Sequence, residues 1–490
     1  MQRLYREHGS LATIEDQGQR VIFAFGPEHN RRVLSDVDNF HARFFAIRGP
    51  RNSAQRRLTN ALLSMNGAEH KRNRRIVMGP FQKTSVEGYR AALATLATEL
   101  IQPWRVNEVR DMFDDMTHYM LRVASSVLFG FDVPEMAYRI GHLTARWVAM
   151  NHELGVGAFL ADEQVTASYD HLLEMADTLE REIVAMIEHR RSSDVEGNDV
   201  MSLLIRAHDE FGDRLNNDEL IGQAAILFGA AHLTTANTLT WTLFLLAQHP
   251  EIAEELVHEL NTVLHGEPPT VQQIEQLNVL DRVVKESMRV LPASSYSQRI
   301  TAGPVELGPL CLDRGSIIIF SQFITHHMEE LFPEPERFLP ERWRTIRPSP
   351  YAYLPFAAGP RMCLGGPMAI MIIKMTLAVI LQRYRFAVVP GATINGKVTA
   401  TMLTPTTSVP MIVSDQATPF QATPVRGNIH DLVQLQSMPT PSWPLSRTWP
   451  FEFKSSESPE HGFIPPTMSP YLPASHFGAT NGSQSGFGDG

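Results

Sequence analysis

A cysteine near residue 360 has neighbours that suit the binding of a flat, iron-containing ligand. Cys363 precedes an apolar segment, 366–384, that is predicted to be helical. Its thiolate would therefore be stabilised by the helix dipole and by backbone N–H groups. Gly359 and Gly365 would allow a close approach to the backbone, and Arg361 would offer a cation to a carboxylate. These are the requirements of a cysteine ligand of haem iron. The alternative is a buried free cysteine after a loop that contains glycine.

The surrounding run resembles the haem loop of the cytochrome P450 superfamily. The family pattern is Phe-x-x-Gly-x-Arg-x-Cys-x-Gly, which the chain matches with Phe356, Gly359, Arg361, Cys363 and Gly365. The resemblance implies haem b as the cofactor, with its iron ligated by the Cys363 thiolate. Ala357 departs from the family, which usually has glycine or another small or polar residue there. Its methyl group is expected to change how the loop packs near the sulfur.

Two motifs upstream occur in the order and spacing of the same family. Glu286-Ser-Met-Arg289 resembles the family's Glu-x-x-Arg helix, in which residues three apart share a helix face. Phe338-Leu-Pro-Glu-Arg342-Trp343 resembles the segment whose arginine completes a buried triad with that pair. A similar run just upstream contains Arg337. Arg342 is preferred because Phe338 then occupies the leading aromatic position of the motif.

A long apolar segment, 220–248, carries a further match to the family. Its run Ala230-Ala-His-Leu-Thr-Thr235 aligns with the Ala-Gly-x-Asp/Glu-Thr-Thr of the family's central helix. The resemblance gives catalytic positions to Ala231, His232 and Thr234, and Thr234 would hydrogen-bond to bound dioxygen. Leu233 replaces the usual acid and cannot relay a proton. His232 is a candidate substitute, although histidine is common there beside a proper acid. A helical threonine also often bonds back to the carbonyl four residues earlier.

Three more positions match residues that hold the haem propionates in many members. His70 and Arg74 lie one helical turn apart and match the family's His/Trp-x-x-x-Arg. Arg299 lies ten residues after Arg289, where the family often places another propionate ligand. The alternatives are a solvated basic helix face at 70–75 and an ordinary surface arginine at 299.

The resemblance implies a haem-thiolate monooxygenase that inserts one oxygen atom from O2 into an apolar substrate, such as a fatty acid, terpenoid or steroid. Electrons would come from a ferredoxin, a flavodoxin or a reductase. Leu233 keeps two alternatives open: a peroxide-driven oxygenase or isomerase-type member, and a haem-binding protein without turnover. A basic face that suits docking of the electron donor would comprise Lys71, Arg72, Arg75 and Lys374.

By analogy with the family, the substrate pocket would be lined by segments 48–63, 145–159, 227–231, 292–296 and 403–407. An apolar ligand is favoured by Trp147, Met150, Phe159, Leu227 and Leu291. Arg48 or Arg51 could hold a carboxylate, although arginines of this kind are more commonly exposed.

These motifs need a mainly helical fold with small β-sheets, in which a long central helix lies over the haem. Helical periodicity predominates from 28 to 298, after a predicted hairpin of strands 11–14 and 21–24. His249-Pro250 is expected to end the long helix. Polar residues within 220–248 argue against a transmembrane helix in that segment. The chain starts close to the first predicted hairpin, without the Pro-rich hinge of microsomal family members, so no membrane anchor is expected.

The domain prediction is a haem domain at 1–414 followed by a disordered or loosely packed tail at 415–490. The tail holds 11 of the 33 prolines of the chain. Some of its aromatic residues leave open that it packs on the body.

Composition limits the class of protein. The 490 residues carry a net charge of −10 and two cysteines, which argues against nucleic-acid binding and excludes a disulfide scaffold. Residues 1–110 are nevertheless basic, with 18 Lys and Arg against 10 Asp and Glu, which favours an acidic protein partner. No signal peptide is recognisable, so a cytoplasmic monomer is expected.

Overall fold

The computed structural model describes residues 1–16, 19–43, 46–157, 163–193 and 196–435, of which far more lie in helices than in strands. The helices are α1 Gln2–His8, α2 Pro27–Ser35, α3 Ala54–Thr59, α4 Gly67–Met78, α5 Lys83–Gly88, α6 Arg90–Ile101, α7 Met112–Phe129, α8 Pro134–Gly157, α9 Glu163–Ser192, α10 Val200–Arg206, α11 Asn217–Gln248, α12 Pro250–Leu264, α13 Val271–Gln276, α14 Asn278–Val290, α15 Gln322–His326 and α16 Gly366–Leu381. The strands are β1 Leu11–Asp16, β2 Gln19–Ala24, β3 Phe40–Ala42, β4 Val109–Asp111, β5 Ser297–Thr301, β6 Val305–Leu307, β7 Leu310–Leu312, β8 Ile317–Phe320, β9 Arg385–Val388, β10 Gly396–Thr399, β11 Met402–Pro405 and β12 Pro410–Ser414.

The strands form small sheets at the edges of the helical body. The largest has the order β1-β2-β8-β5-β3, in which β2 and β8 are parallel and the other neighbours are antiparallel. β1 and β2 form the predicted hairpin, with Leu11 opposite Ala24. The remaining sheets are β4-β12-β9, β10-β11 and β6-β7. In the five-stranded sheet, β5, which contains Arg299, lies beside β8.

The long helix α11 runs through the centre of the body. It begins with a capping box, in which the Asn216 side chain and the Glu219 side chain each bond to the other residue's backbone N–H. It ends at Gln248, where His249 caps it and Pro250 begins α12, as predicted. The helix packs mainly on α7, and its core side chains belong to the main hydrophobic cluster. None of the helices in the described ranges is long and apolar enough to cross a membrane.

The packed body continues beyond the predicted end of the haem domain. Residues 415–435 were assigned to the tail, but Val425, Ile429 and Val433 are buried in the main core. The Ile394 N–H donates to the Arg426 carbonyl, and the Arg426 N–H donates to the Ala392 carbonyl, both at 2.8 Å. A boundary at 414 is therefore too early, because apolar residues among the prolines join the main hydrophobic core. Residues 436–490 lie outside the described residues.

Candidate active site

The loop before α16 folds tightly around Cys363. The Cys363 N–H donates to the Phe356 carbonyl at 2.9 Å, which closes the loop. Gly359 has a φ of +75°, and a Cβ atom there would lie 2.5 Å from the Leu34 carbonyl oxygen at the end of α2. Only glycine fits this close approach. Ala357 has a φ of +56°, so an alanine occupies a left-handed conformation in the same loop.

Opposing effects act on the Cys363 thiol. The side chain borders open space, yet surrounding protein atoms desolvate it, and this burial raises its pKa. The backbone N–H groups of Gly365 and Gly366 and the Arg74 cation act in the opposite direction and favour the thiolate. Desolvation has the largest effect on the pKa of the free thiol, whereas a cation bound at the sulfur would lower that pKa and favour the thiolate.

Four basic side chains, His70, Arg74, Arg299 and Arg361, cluster beside this loop and form the basic cluster. Arg74, on α4, donates to the Met362 carbonyl at 2.6 Å, and Arg361 donates to the Met65 carbonyl. Arg299 on β5 is buried, lies over the Phe320 ring and donates to the Gln298 carbonyl. His70 is also buried. In the described part of the chain, none of the four forms an ion pair with a carboxylate.

Burial and, at His70 and Arg361, neighbouring arginines disfavour the charged forms of these side chains. Burial, with further contributions from Arg361, Arg74 and Arg299, lowers the pKa of His70 to about 4. Burial also lowers the pKa of Arg361 to about 10, assisted by Arg299 and Arg74. Burial lowers the pKa of Arg299 to about 10 as well. A bound anion would relieve this repulsion, and a pocket of about 240 Å³ reaches His70, Arg74 and Arg361.

The middle of α11 is open on one face. Residues before and after this stretch are buried, but Leu227, Ala230, Ala231 and Thr234 are accessible, and their spacing places them on one side of the helix. The Thr234 hydroxyl donates to the Ala230 carbonyl at 2.8 Å, which is the back-bonding of a helical threonine. Thr234 therefore keeps its oxygen lone pairs available toward the accessible face.

His232 lies on another side of α11. Its Nε2 is 3.1 Å from the Thr117 carbonyl on α7, and its ring lies beside Phe228. Burial lowers its pKa to about 4, so it is neutral near pH 7. The structure thus brings Thr234 and Ala231 together but not His232. The sequence already indicates this separation, because His232 and Thr234 are two residues apart and such residues point to nearly opposite sides of an α-helix.

Glu286, Arg289 and Arg342 form a buried ion triad between α14 and the segment at 340–344. Glu286 accepts two hydrogen bonds from Arg289 and one from Arg342, each at 2.9 Å. Trp343 Nε1 and the Leu339 N–H also donate to this carboxylate. Arg337, the competing arginine, instead pairs with exposed Glu334. Sequence reasoning missed the roles of Trp343 and Leu339, although Trp343 was part of the motif.

Backbone contacts connect this triad to the Cys363 loop. Arg289 donates to the His326 carbonyl at 2.9 Å, and His326 Nε2 accepts from the Leu354 N–H at 2.8 Å. The Tyr353 hydroxyl donates to the Lys285 carbonyl at 2.9 Å. The chain that enters the loop is therefore fixed to α14. His326 is a second residue that sequence reasoning missed, since no motif marked it.

One member of the predicted docking face is buried, and another is partly exposed but already bonded to acidic residues. Lys374 is buried and donates to Asp281 at 2.8 Å. Arg72 bonds to Asp209, Glu219 and the Arg214 carbonyl. The prediction was wrong for Lys374 because α16 packs against α14 on that side. Lys71 and Arg75 remain exposed on α4.

The predicted pocket residues also separate into two groups. Trp147 and Leu291 are buried, and Trp147 Nε1 donates to Gln55 Oε1 at 2.6 Å, so both belong to the core. Met150 and Leu227 are partly accessible. Arg48 and Arg51 are exposed. Phe159 lies outside the described residues.

The residues present fit a haem. The Cys363 thiol lies beside two backbone N–H groups, the accessible face of α11 carries no bulky polar group, and arginines that have no carboxylate partner among the described residues can receive propionates. The sequence model of the family described as Cytochrome P450 matches residues 1–411. The chain belongs to the cytochrome P450 family. The predictions of the family, of haem b held by a cysteine thiolate, and of a monooxygenase are confirmed at this level.

Several curated relatives span most of this cytochrome P450. The cyclooctat-9-en-7-ol 5-monooxygenase of Streptomyces melanosporofaciens is 32% identical over 79% of this chain and 84% of the relative. The pentalenene oxygenase of Streptomyces avermitilis is 29% identical over 81% of this chain and 89% of the relative. The cyclooctatin synthase of Streptomyces melanosporofaciens is 29% identical over 79% and 85%.

A solved structure confirms the fold class of this P450. The retinoic acid bound cyanobacterial CYP120A1 matches with a TM-score of 0.74 and 21% identity, covering 84% of this chain and 93% of that one. The mainly helical architecture with small sheets is thus that of cytochromes P450. Family membership further implies dioxygen, an organic substrate and an electron-donating partner.

Proposed function

We propose that this cytochrome P450 oxidises a terpenoid, with electrons supplied by a ferredoxin. The observation that carries the proposal is the similarity, over about four-fifths of the chain, to enzymes whose names are those of terpenoid oxygenases. The accessible face of α11 is consistent with it, because Leu227, Ala230 and Ala231 present only apolar groups. Arg48 and Arg51 are exposed and have no defined place at this face.

The proposed haem contacts follow from the geometry around Cys363. Cys363 ligates the iron, and the N–H groups of Gly365 and Gly366 stabilise its thiolate. Arg74, Arg299, Arg361 and His70 bind the two propionates, which neutralises the mutual repulsion of these cations. The bound haem supplies the activation of dioxygen, which the thiolate ligand favours. Gly359 keeps the loop close to α2.

Thr234 and its neighbours determine how protons reach the oxygen. The Thr234 oxygen can accept a hydrogen bond from water on the accessible face of α11, because its proton is donated to Ala230. Leu233 supplies no proton and keeps that part of the face apolar. We propose that water held by the Thr234 oxygen, rather than a carboxylic acid or His232, would be the proton source at this face of α11. His232 is bonded to Thr117 on another side of the helix.

The first experiment tests the ligand. Purified protein is reduced, exposed to carbon monoxide and examined by difference spectroscopy. A strongly red-shifted Soret band is expected, and Cys363→Ser should abolish it because serine does not provide a thiolate. Cys311→Ser is the matched control, since Cys311 is an exposed cysteine on β7 and should leave the band unchanged. A wild-type band typical of histidine-ligated haem would refute the proposed ligand.

A second experiment tests the substrate class. Pentalene-type sesquiterpene hydrocarbons and fatty acids of equal carbon number are titrated against the oxidised protein, and the spin-state change of the haem is followed. The terpenoid is expected to bind at least about tenfold more tightly, because the apolar face offers no partner for a carboxylate. Tighter binding of the fatty acid would contradict the proposal.

Leu233 favours a second candidate, a peroxide-driven oxygenase. The two reactions differ in their need for an electron donor. Product formation with ferredoxin, its reductase and NADPH is compared with product formation with hydrogen peroxide alone. Leu233→Glu is made in parallel, because an added acid should increase product per NADPH consumed in the donor-driven reaction. Turnover with peroxide only, in both proteins, would establish the second candidate.

A further inference from the structure

The segment that follows β12 bonds to two distant parts of the body. The Thr423 hydroxyl donates to the Val388 carbonyl on β9 at 2.6 Å. Near the other end, the Gln434 N–H donates to the Glu336 carbonyl at 2.8 Å, between two carbonyls that accept from Arg289 of the ion triad. We call residues 423–434 the C-terminal strap. It lies beyond residue 411, where the match to the cytochrome P450 family ends.

Asn428, in the middle of the C-terminal strap, bonds to the start of β10. Its Oδ1 accepts from the Gly396 N–H at 2.8 Å, and its Nδ2 donates to the Gly396 carbonyl at 2.9 Å. The Asn428 N–H also donates to Asn395 Oδ1 at 2.8 Å. Leu432 packs beside these bonds, since a Cβ atom at Gly396 would lie 2.8 Å from Leu432 Cδ1. The bond to both backbone groups of one residue needs a side chain that is donor and acceptor at once, which an amide provides.

The residue before Asn428 allows this close approach. Gly427 has a φ of +105°, and a Cβ atom there would overlap the Ile394 carbonyl oxygen. Any other residue would push the C-terminal strap away from 394–396. The contact between Asn428 and the start of β10 therefore depends on the backbone conformation as well as on the side chain.

The strands β10 and β11 carry this contact to a segment that is predicted to line the substrate pocket, 403–407. They are antiparallel, with Gly396 opposite Pro405. Asn395 continues the connection, because its carbonyl accepts from the Thr406 N–H at 2.9 Å and its N–H donates to the Thr407 hydroxyl oxygen at 3.2 Å. The position of 403–407 thus depends on the residues that Asn428 holds.

Residues of β11 are in turn bonded to α11. Asn237 Nδ2 donates to the Thr404 hydroxyl oxygen at 3.0 Å, and Trp241 Nε1 donates to the Leu403 carbonyl at 3.1 Å. Asn237 follows Thr234 by three residues and so lies one turn further along the same side of the helix. A displacement of β11 would therefore change the distance between the segment 403–407 and the accessible face of α11.

The strand β11 also bonds to another segment predicted to line the pocket, 292–296. The Leu403 N–H donates to the Ala293 carbonyl at 3.0 Å, and the Ser295 N–H donates to the Thr401 carbonyl at 2.8 Å. Two of the predicted pocket segments consequently depend on one pair of strands, whose free side is held by the C-terminal strap.

We infer that Asn428 is a positioning residue that sets the shape of the substrate pocket. It acts through Gly396 and β11, which hold the segment 403–407 against α11. The alternative is that the C-terminal strap only stabilises the fold, as the Thr423 bond to β9 would. The inference rests on the proposed oxidation of an apolar substrate, and it adds a determinant of selectivity outside the residues that match the family.

The test compares two probes in the haem-loaded, full-length enzyme. A pentalene-type sesquiterpene hydrocarbon and a fatty acid of equal carbon number are titrated, and the spin-state change gives the two dissociation constants. Asn428→Ala is expected to change their ratio at least about threefold, because a displaced pocket segment affects probes of different shape unequally. Thr423→Val is the matched control, since it removes a side-chain bond of the same strap to β9. It should lower the thermal midpoint and leave the ratio unchanged.

Hydrogen exchange of the haem-free protein adds a readout that needs no ligand. The amides of 396–407 should exchange faster in Asn428→Ala than in wild type, whereas Thr423→Val should leave them unchanged. The carbon monoxide spectrum should be the same in all three proteins. If Asn428→Ala does not bind haem, Asn428→Asp replaces it under the same criteria, because a carboxylate still accepts from the Gly396 N–H.

The outcomes distinguish this inference from the proposed function. An unchanged ratio and unchanged exchange in Asn428→Ala, or equal changes in Asn428→Ala and Thr423→Val, would overturn the positioning role. Tighter binding of the fatty acid by wild type would refute the terpenoid substrate, while the ratio would still respond to Asn428. Binding of neither probe by wild type would refute the apolar substrate, and hydrogen exchange would then decide the role of Asn428.

Discussion

The buried ion triad and the basic cluster both bury arginines, but they differ in what surrounds them. In the triad, Glu286 lies between Arg289 and Arg342, and backbone carbonyls accept the remaining guanidinium protons. The described residues of the basic cluster include no carboxylate, and burial, assisted by the neighbouring arginines, lowers the pKa of His70 and of Arg361. A buried charge is costly unless it is paired. The triad is therefore complete within the chain, whereas the basic cluster is complete only when an anion binds.

This difference indicates a structural role for the ion triad and an anion-binding role for the basic cluster. A closed network stabilises the position of the chain segments that contribute to it. A cluster of cations without a carboxylate is unfavourable, and a bound anion would offset that cost. The loop between the two regions, 354–363, is bonded to both, through His326 to the triad and through Arg74 to the basic cluster.

The largest effect is expected for Glu286→Gln. Two buried arginines would lose their counter-charge, so the free energy of unfolding should fall by about 3–5 kcal/mol. The midpoint of urea denaturation, followed by circular dichroism, measures the change. Glu334→Gln is the control, because Glu334 also pairs with an arginine three residues away but is exposed. Its effect should stay below about 1 kcal/mol. Equal losses in both variants would refute the distinction between closed and exposed pairs.

A smaller effect concerns the pH dependence of the basic cluster. The pKa of His70 is about 4 in the folded chain, against 6.5 for an ordinary histidine. Between these values the unfolded chain binds more protons, so the contribution of His70 to stability falls as the pH drops from about 6.5 to 4. His70→Gln should remove this contribution, whereas His8→Gln, at an exposed position, should retain it.

Bound haem is expected to reduce this pH dependence. Bound propionates would neutralise Arg74, Arg299 and Arg361 and raise the pKa of His70 again. The difference in pH dependence between wild type and His70→Gln should therefore be smaller in the haem-loaded protein than in the haem-free protein. Denaturation curves at several pH values for both forms provide the measurement. The same difference in both forms would show that no anion binds between these cations.

The smallest effect is expected for Ala357→Gly, in the loop that joins the two regions. Ala357 has a φ of +56°, a conformation that costs an alanine about 1–2 kcal/mol. Glycine relieves this strain but adds unfolded-state entropy, so the net stabilisation should be about 0.5–1 kcal/mol. The thermal midpoint of the holoprotein measures it. Ala358→Gly is the control, since Ala358 has a φ of −148° and is buried, and it should destabilise. Destabilisation by both would show that the Ala357 methyl group contributes to packing.

Features that depend on short stretches of sequence were predictable. The hairpin, the end of the long helix at Gln248 and the helix after Cys363 follow from periodicity, proline and capping residues. The Glu-x-x-Arg pair follows from helical spacing, and its partner Arg342 from a motif. Within the region of predicted helical periodicity, 28–298, the structure has a break at Tyr89, where α5 ends and α6 begins. Helical periodicity alone does not show such a break.

Local sequence motifs predicted the family and the position of the cysteine loop, because both are encoded in residues close together in the chain. The members of the basic cluster come from three separate segments, and only the fold brings them together. The tertiary structure determines which basic side chains pair with carboxylates. It buried Lys374 against Asp281, bonded Arg72 to the turn at 209–214 and turned His232 toward α7. It also packed residues 415–435 on the core and exposed Phe211. Burial and pairing depend on contacts between residues far apart in sequence, and no local pattern specifies them.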